Sequence, residues 1–172
     1  GLNGTNSSVP VTYRGWATPQ RLDAAVANIA KAVAEMERVE KDSGRRVQLL
    51  LEPEPDCVLD DSESVLGFVR KQLRPALERR HGAEHAAELL HRYFGVCLDM
   101  AHCAVVYETP SVFLQRCADE GVPIGKIHLS AAVRSRSEGP APMELEGFAD
   151  DVYLHQTRVR TPQGMRRFTD LS

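Results

Sequence analysis

The sequence predicts an α/β fold, and within that class a partial (β/α)8 barrel. Three observations carry the prediction. Short apolar runs at 47–51, 93–98 and 124–129 alternate with segments of helical periodicity, and such alternation implies parallel strands joined by right-handed crossovers. Each run leads to a polar residue with ligand chemistry, namely Glu52, Asp99 and His128, and strand carboxyl ends are where parallel folds and barrels build their sites. No Gly-x-Gly-x-x-Gly or phosphate-loop pattern follows any run, so the usual signature of a nucleotide-binding doubly wound sheet is missing. A complete barrel takes ~250 residues. This chain has 172, and the expectation is one domain over 1–172, truncated at both ends, with the remaining strands before Gly1 and after Ser172.

Taken in order, residues 1–17 are rich in Gly, Asn and Ser and read as a loop, with Trp16 stapling the first helix. Thr18-Pro19 starts that helix, Thr as cap and Pro at the first helical position. Leu22, Val26, Ile29, Val33 and Met36 keep helical spacing, and Gly44 fits its end. The run 47–51 reads as a strand, and Glu52-Pro53-Glu54-Pro55 is too rich in proline for regular structure. A second helix begins near Ser62, with Asp60 and Glu63 spaced as a capping box and Pro75 set to kink or divide it. Another helix covers 83–93 and a second strand 93–98. Thr109-Pro110 opens a helix that contains Phe113, Leu114 and Cys117 and stops near Gly121, before the third strand. Residues 133–142 read as a loop, and 143–160 is ambiguous between helix and strand.

Net charge is −3, and the basic groups, Arg79-Arg80-His81 and the arginines from Arg158 to Arg167, are short. They read as solvated faces, which argues against a nucleic-acid partner. His81, His85 and His91 read as solvated too. The cysteines, Cys57, Cys97, Cys103 and Cys117, form no Cys-x-x-Cys pair, so a zinc knuckle and a thioredoxin-type motif are excluded. Cys97 reads as a small core residue of its strand. Cys103 has no identifiable base and reads as structural. No signal peptide and no apolar run of about 20 residues is found, which predicts no membrane insertion and a cytoplasmic protein.

Glu52, Asp99 and His128 at three strand ends, with His102 three residues beyond Asp99, make a set of two carboxylates and two imidazoles. Mixed oxygen and nitrogen donors suit a divalent ion such as Zn, Mn or Mg. A strand-end acid also commonly caps the following helix, the competing reading for each one alone.

Three motifs resemble known families. Leu51-Glu52-Pro53-Glu54-Pro55 resembles the Glu-Pro-Lys-Pro segment of xylose isomerases, whose first glutamate binds metal. Leu98-Asp99-Met100-Ala101-His102 resembles the Leu-Asp-x-x-His segment of the apurinic endonuclease IV and sugar isomerase/epimerase superfamily, where Asp and His are both ligands. Lys126-Ile127-His128-Leu129-Ser130 is similar to that superfamily's His-Leu-Asn-Asp strand, whose His is a ligand. Over residues 13–171 the chain is similar to the xylose-isomerase-like EboE metabolite-traffic family, through Leu51-Glu52-Pro53-Glu54-Pro55, Gly95-Val96-Cys97-Leu98-Asp99 with His102, and Tyr153-Leu154-His155-Gln156. The resemblance implies a xylose-isomerase-like TIM barrel in the cytoplasm, working with partner proteins that move a small metabolite. Glu54 stands where the isomerases have lysine, Ser130 where the endonucleases have Asn-Asp, and their last-strand glutamate ligand has no counterpart here. His155 reads as a surface or packing histidine more readily than as an extra ligand.

Two functions follow as expectations. In the first, a metal at Glu52, Asp99, His102 and His128 polarises a sugar-like substrate, and Glu54 moves a proton in an isomerase or epimerase reaction. In the second, the site holds a metabolite for a transport partner without turnover. A DNA-repair phosphodiesterase is the weakest reading, given the acidic net charge.

Overall fold

The computed structural model describes residues 17–136, 145, 147–148 and 155–171. Trp16 and the Tyr153-Leu154 step lie outside these residues. The long helix α1, Pro19–Ser43, begins where Thr18 accepts a hydrogen bond from the Arg21 amide, and it ends at Gly44 with φ 68. That left-handed value is why glycine terminates it. Strand β1, Leu49–Leu51, follows. Helix α2, Ser62–Phe68, is capped by Asp61 rather than Asp60, with Ser64 completing the reciprocal bond. The cap falls one residue later than the expected box because Asp60 is buried in an ion pair with Arg158.

The helix is divided ahead of Pro75, as expected. The segment Val69–Leu73 is a π turn, in which the Arg74 amide reaches back to the Val69 carbonyl, and α3, Arg74–His81, continues from it. Proline has no N–H to give the carbonyl four residues earlier, and a widened turn absorbs the mismatch. Helix α4, Ala83–Tyr93, leads without a loop into strand β2, Phe94–Asp99. The short helix α5, Met100–Val105, and α6, Pro110–Asp119, precede strand β3, Ile124–His128. Phe113 and Cys117 are buried, and Leu114 is exposed.

The three strands form one parallel sheet in the order β1-β2-β3. The last described elements are different in kind. Strands β4, Thr157–Thr161, and β5, Gly164–Phe168, pair antiparallel as a separate hairpin. The expected (β/α)8 TIM barrel is therefore overturned: the described residues hold three parallel strands and one hairpin, with no closed barrel. The turn at Pro162-Gln163 explains the hairpin. A crossover to a parallel strand takes a dozen residues or more, whereas a two-residue turn can only reverse the chain. Three open strands also fall far short of the eight that enclose a small barrel.

Side chains alternate across β2. Phe94, Val96 and Leu98 join Val33, Leu73, Leu77 and Leu89 in the apolar core. Each such side chain contributes ~1.5–3 kcal/mol on burial. Gly95, Cys97 and Asp99 occupy the other face. There the backbone is crowded: a Cβ at Gly95 would sit 2.9 Å from the Pro123 carbonyl oxygen, and one at Gly125 would collide with Leu50. Among the described residues no helix is long and apolar enough to cross a membrane.

Candidate metal centre

The polar residues meet because of sheet register. Asp99 and His128 are Cα partners across β2 and β3, and Leu51 partners Val96. Continuing that register one step brings Glu52 abreast of Cys97. His102 comes from the first turn of α5, whose amide is capped by Asp99 Oδ1 at 3.0 Å. The competing roles expected of Asp99 coexist in one carboxylate. Oδ1 caps α5 and accepts the Ser130 hydroxyl at 2.7 Å, while Oδ2 lies 3.2 Å from His128 Nδ1.

Glu52 Oε1 lies 3.4 Å from His128 Nδ1 and 3.7 Å from His102 Nδ1. His102 Nδ1 also donates to the Pro53 carbonyl at 2.9 Å. A carbonyl only accepts, so this bond places the proton on Nδ1 and leaves Nε2 with its lone pair. A ring nitrogen tied to a backbone carbonyl is the usual support of a metal-binding histidine. Side-chain exposure runs from 11% at Asp99 and 17% at Glu52 to 27% at His102 and 29% at His128, enough for a ligand to reach the cluster.

The four expected ligands do not close into one group. Their donor atoms fall into two triads sharing Glu52: Glu52, Asp99 and His102, and Glu52, Cys97 and His128, each within 4.8 Å. Cys97 is the residue that sequence reasoning assigned to the core. It is buried, yet it is not part of the apolar cluster. Its Sγ lies 3.7 Å from His128 Nδ1 and 3.8 Å from Nε2. The signal was present in the sequence, since Cys97 and Asp99 are two apart on one strand and share a face.

Electrostatics separate the two kinds of group. Burial raises the Asp99 carboxyl, but the Ser130 hydroxyl and the His102 amide outweigh it and hold the group below its ordinary value. Burial, with the Glu52 carboxylate beside it, pushes the Cys97 thiol up to about 11. Cys103 is likewise pushed to about 11 by burial and by Glu108, and it packs in the apolar core, which suits the structural role expected of it.

Glu54 is in neither triad. Its Oε1 accepts from the Gln156 amide at 2.7 Å. His155 is in neither as well; its backbone amide donates to Asp170 at 2.9 Å. Both contacts belong to a strap formed by the hairpin over the loop between β1 and α2. Thr169 donates to Asp56 at 2.6 Å, and Arg158 and Arg167 both pair with Asp60. The arginines from Arg158 to Arg167 are thus not simply a solvated face: the Arg158 side chain is 6% exposed against an Asp60 that is 2% exposed. Arg160 covers the Tyr107 ring at 4.5 Å. His85 also has a partner, Glu37 at 3.0 Å.

Two carboxylates, two imidazoles and a thiol, with one imidazole fixed by a backbone carbonyl, fit a divalent transition metal. No family model, no curated protein and no solved structure matches this chain.

Proposed function

We propose that the strand-tip cluster binds a divalent metal ion, and that the protein is a metal-dependent isomerase- or epimerase-like protein acting on, or assisting export of, a small sugar-like metabolite. The observation that carries the metal is the position of Glu52 Oε1, 3.4 Å from His128 Nδ1, with Glu52 shared by both donor triads. That separation matches the ~3.4 Å between neighbouring donors implied by tetrahedral bonds of about 2.0–2.2 Å. A divalent ion there supplies Lewis-acid polarisation of a carbonyl or hydroxyl oxygen. Glu52 would hold it, completed by Asp99 and His102 in one triad or by His128 in the other. Glu54, with its carboxylate oriented by Gln156, is the residue we assign to proton movement.

One observation favours a second reading. The Gln156 amide occupies a Glu54 oxygen, which suits a site that holds its metabolite for a transport partner without turning it over. A reducing cytoplasm fits the four free thiols.

The test is elemental analysis of the purified protein, followed by turnover assays on a panel of aldoses and ketoses with the ion restored. Metal together with interconversion that Glu54→Gln abolishes supports the enzyme. Metal and metabolite binding without interconversion supports the carrier. Absence of any bound ion, with no thermal stabilisation by Zn2+ or Mn2+, overturns both.

A further inference from the structure

We infer that Cys97 is a metal ligand through its thiolate, and that with Glu52 and His128 it makes this a sulfur-containing centre selective for zinc-type ions over magnesium. The inference rests on the metal-binding reading above and adds the identity class of the ion.

Three observations point to it. Cys97 shares a face of β2 with Asp99 and is buried outside the apolar cluster, whereas Cys103 and Cys117 pack inside that cluster. The Glu52 carboxylate, the Cys97 thiol and the His128 ring offer donor atoms that all lie within 4.8 Å of one another. Cys97 Sγ is 3.7 Å from His128 Nδ1, which in turn is 3.4 Å from Glu52 Oε1. Tetrahedral bonds of about 2.3 Å to sulfur and 2.0–2.1 Å to nitrogen separate those donors by ~3.6 Å; Sγ is also 3.8 Å from Nε2, so the imidazole turns to aim Nδ1 at the shared ion. On binding, the thiol proton leaves to solvent as the sulfur–metal bond forms, and the sulfur lone pair completes that bond. Thiolate favours zinc and cobalt, while magnesium takes oxygen donors.

Cobalt is the probe. Titrating the full chain with Co2+ is expected to give a near-ultraviolet sulfur-to-cobalt charge-transfer band. Cys103→Ser should retain that band and Cys97→Ser should lose it. Zn2+ affinity in Cys97→Ser should fall by more than the roughly 10–100-fold typical of removing an outer partner. Zinc-edge X-ray absorption on the unaltered protein gives a second readout that needs no variant, a Zn–S distance of about 2.3 Å. Co2+ binding with ligand-field bands but no charge transfer, or a zinc shell of oxygen and nitrogen alone, overturns the thiolate and leaves the metal site standing. Failure of Co2+ and Zn2+ to bind at all overturns both.

Discussion

Asp99 and His128 are register partners on adjacent parallel strands, and their side chains meet at 3.2 Å between Oδ2 and Nδ1. The same aspartate caps α5 through its other oxygen. These two duties can be separated by substitution. Asp99→Asn keeps an oxygen for the cap but removes the charge, so it should fold with near-normal stability and bind metal weakly. Asp99→Ala loses the cap as well and should cost about 1 kcal/mol further. Urea denaturation in chelator and a metal titration, run on both variants, check this.

The strap over the β1–α2 loop is anchored by a buried ion pair. Removing one partner leaves a buried charge, so Arg158→Ala should cost ~3–5 kcal/mol. Arg167, 3.3 Å from Asp60, softens the loss. The double replacement Asp60→Leu with Arg158→Met should cost less than the sum of the singles, because no charge is stranded. Equilibrium denaturation of all three variants measures the coupling; strict additivity would contradict it.

Alkali should loosen the fold through its thiols. Burial, followed by Glu108 and Glu120, pushes the Cys117 thiol to about 11, and Cys97 and Cys103 are raised to about 11 as well. In the unfolded chain a thiol ionises lower, near 8.5. The folded state therefore holds these protons more tightly. Their contribution is fully present below about pH 8.5 and is lost as the pH rises toward 11. Melting temperature should fall across that window, and less steeply in Cys117→Ala than in the unaltered protein. Equal slopes would contradict the assignment.

Close packing of Leu50 against Gly125 gives a fourth expectation. A methyl at Gly125 collides with Leu50, so Gly125→Ala should destabilise by ~1–3 kcal/mol. Shortening the opposing side chain in Leu50→Ala with Gly125→Ala should recover part of that loss relative to additivity. Thermal melts of the single and double variants decide it.

Much of the fold was legible because its signals are local. The Thr18-Pro19 start and Gly44 stop of α1 are set by backbone chemistry within a few residues. The strand tips at Glu52, Asp99 and His128 follow from short apolar runs and the parallel pairing that alternation implies. The expectation of a barrel failed because strand number and closure are global properties, and three βα units continue as readily into an open sheet. The hairpin was obscured by its arginines. Arg158 reads as a surface residue until its partner, Asp60, is seen 98 residues away in sequence. Cys97 is buried as expected, but an apolar run hides which face each residue takes, so its place beside Glu52 and His128 was not legible. Glu54 and Glu52 are adjacent in motif, yet Gln156 draws Glu54 into the strap while Glu52 stays with the imidazoles.

Glu52 is common to both donor triads, so it is the residue on which a metal centre stands or falls. The direct measurement is equilibrium dialysis against Zn2+ for the unaltered protein, Glu52→Gln and Glu54→Gln, with folding of each confirmed by circular dichroism. The account predicts about one ion per chain for the unaltered protein and for Glu54→Gln, and none retained by Glu52→Gln. Equal zinc retention in all three, or none in the unaltered protein, would contradict it.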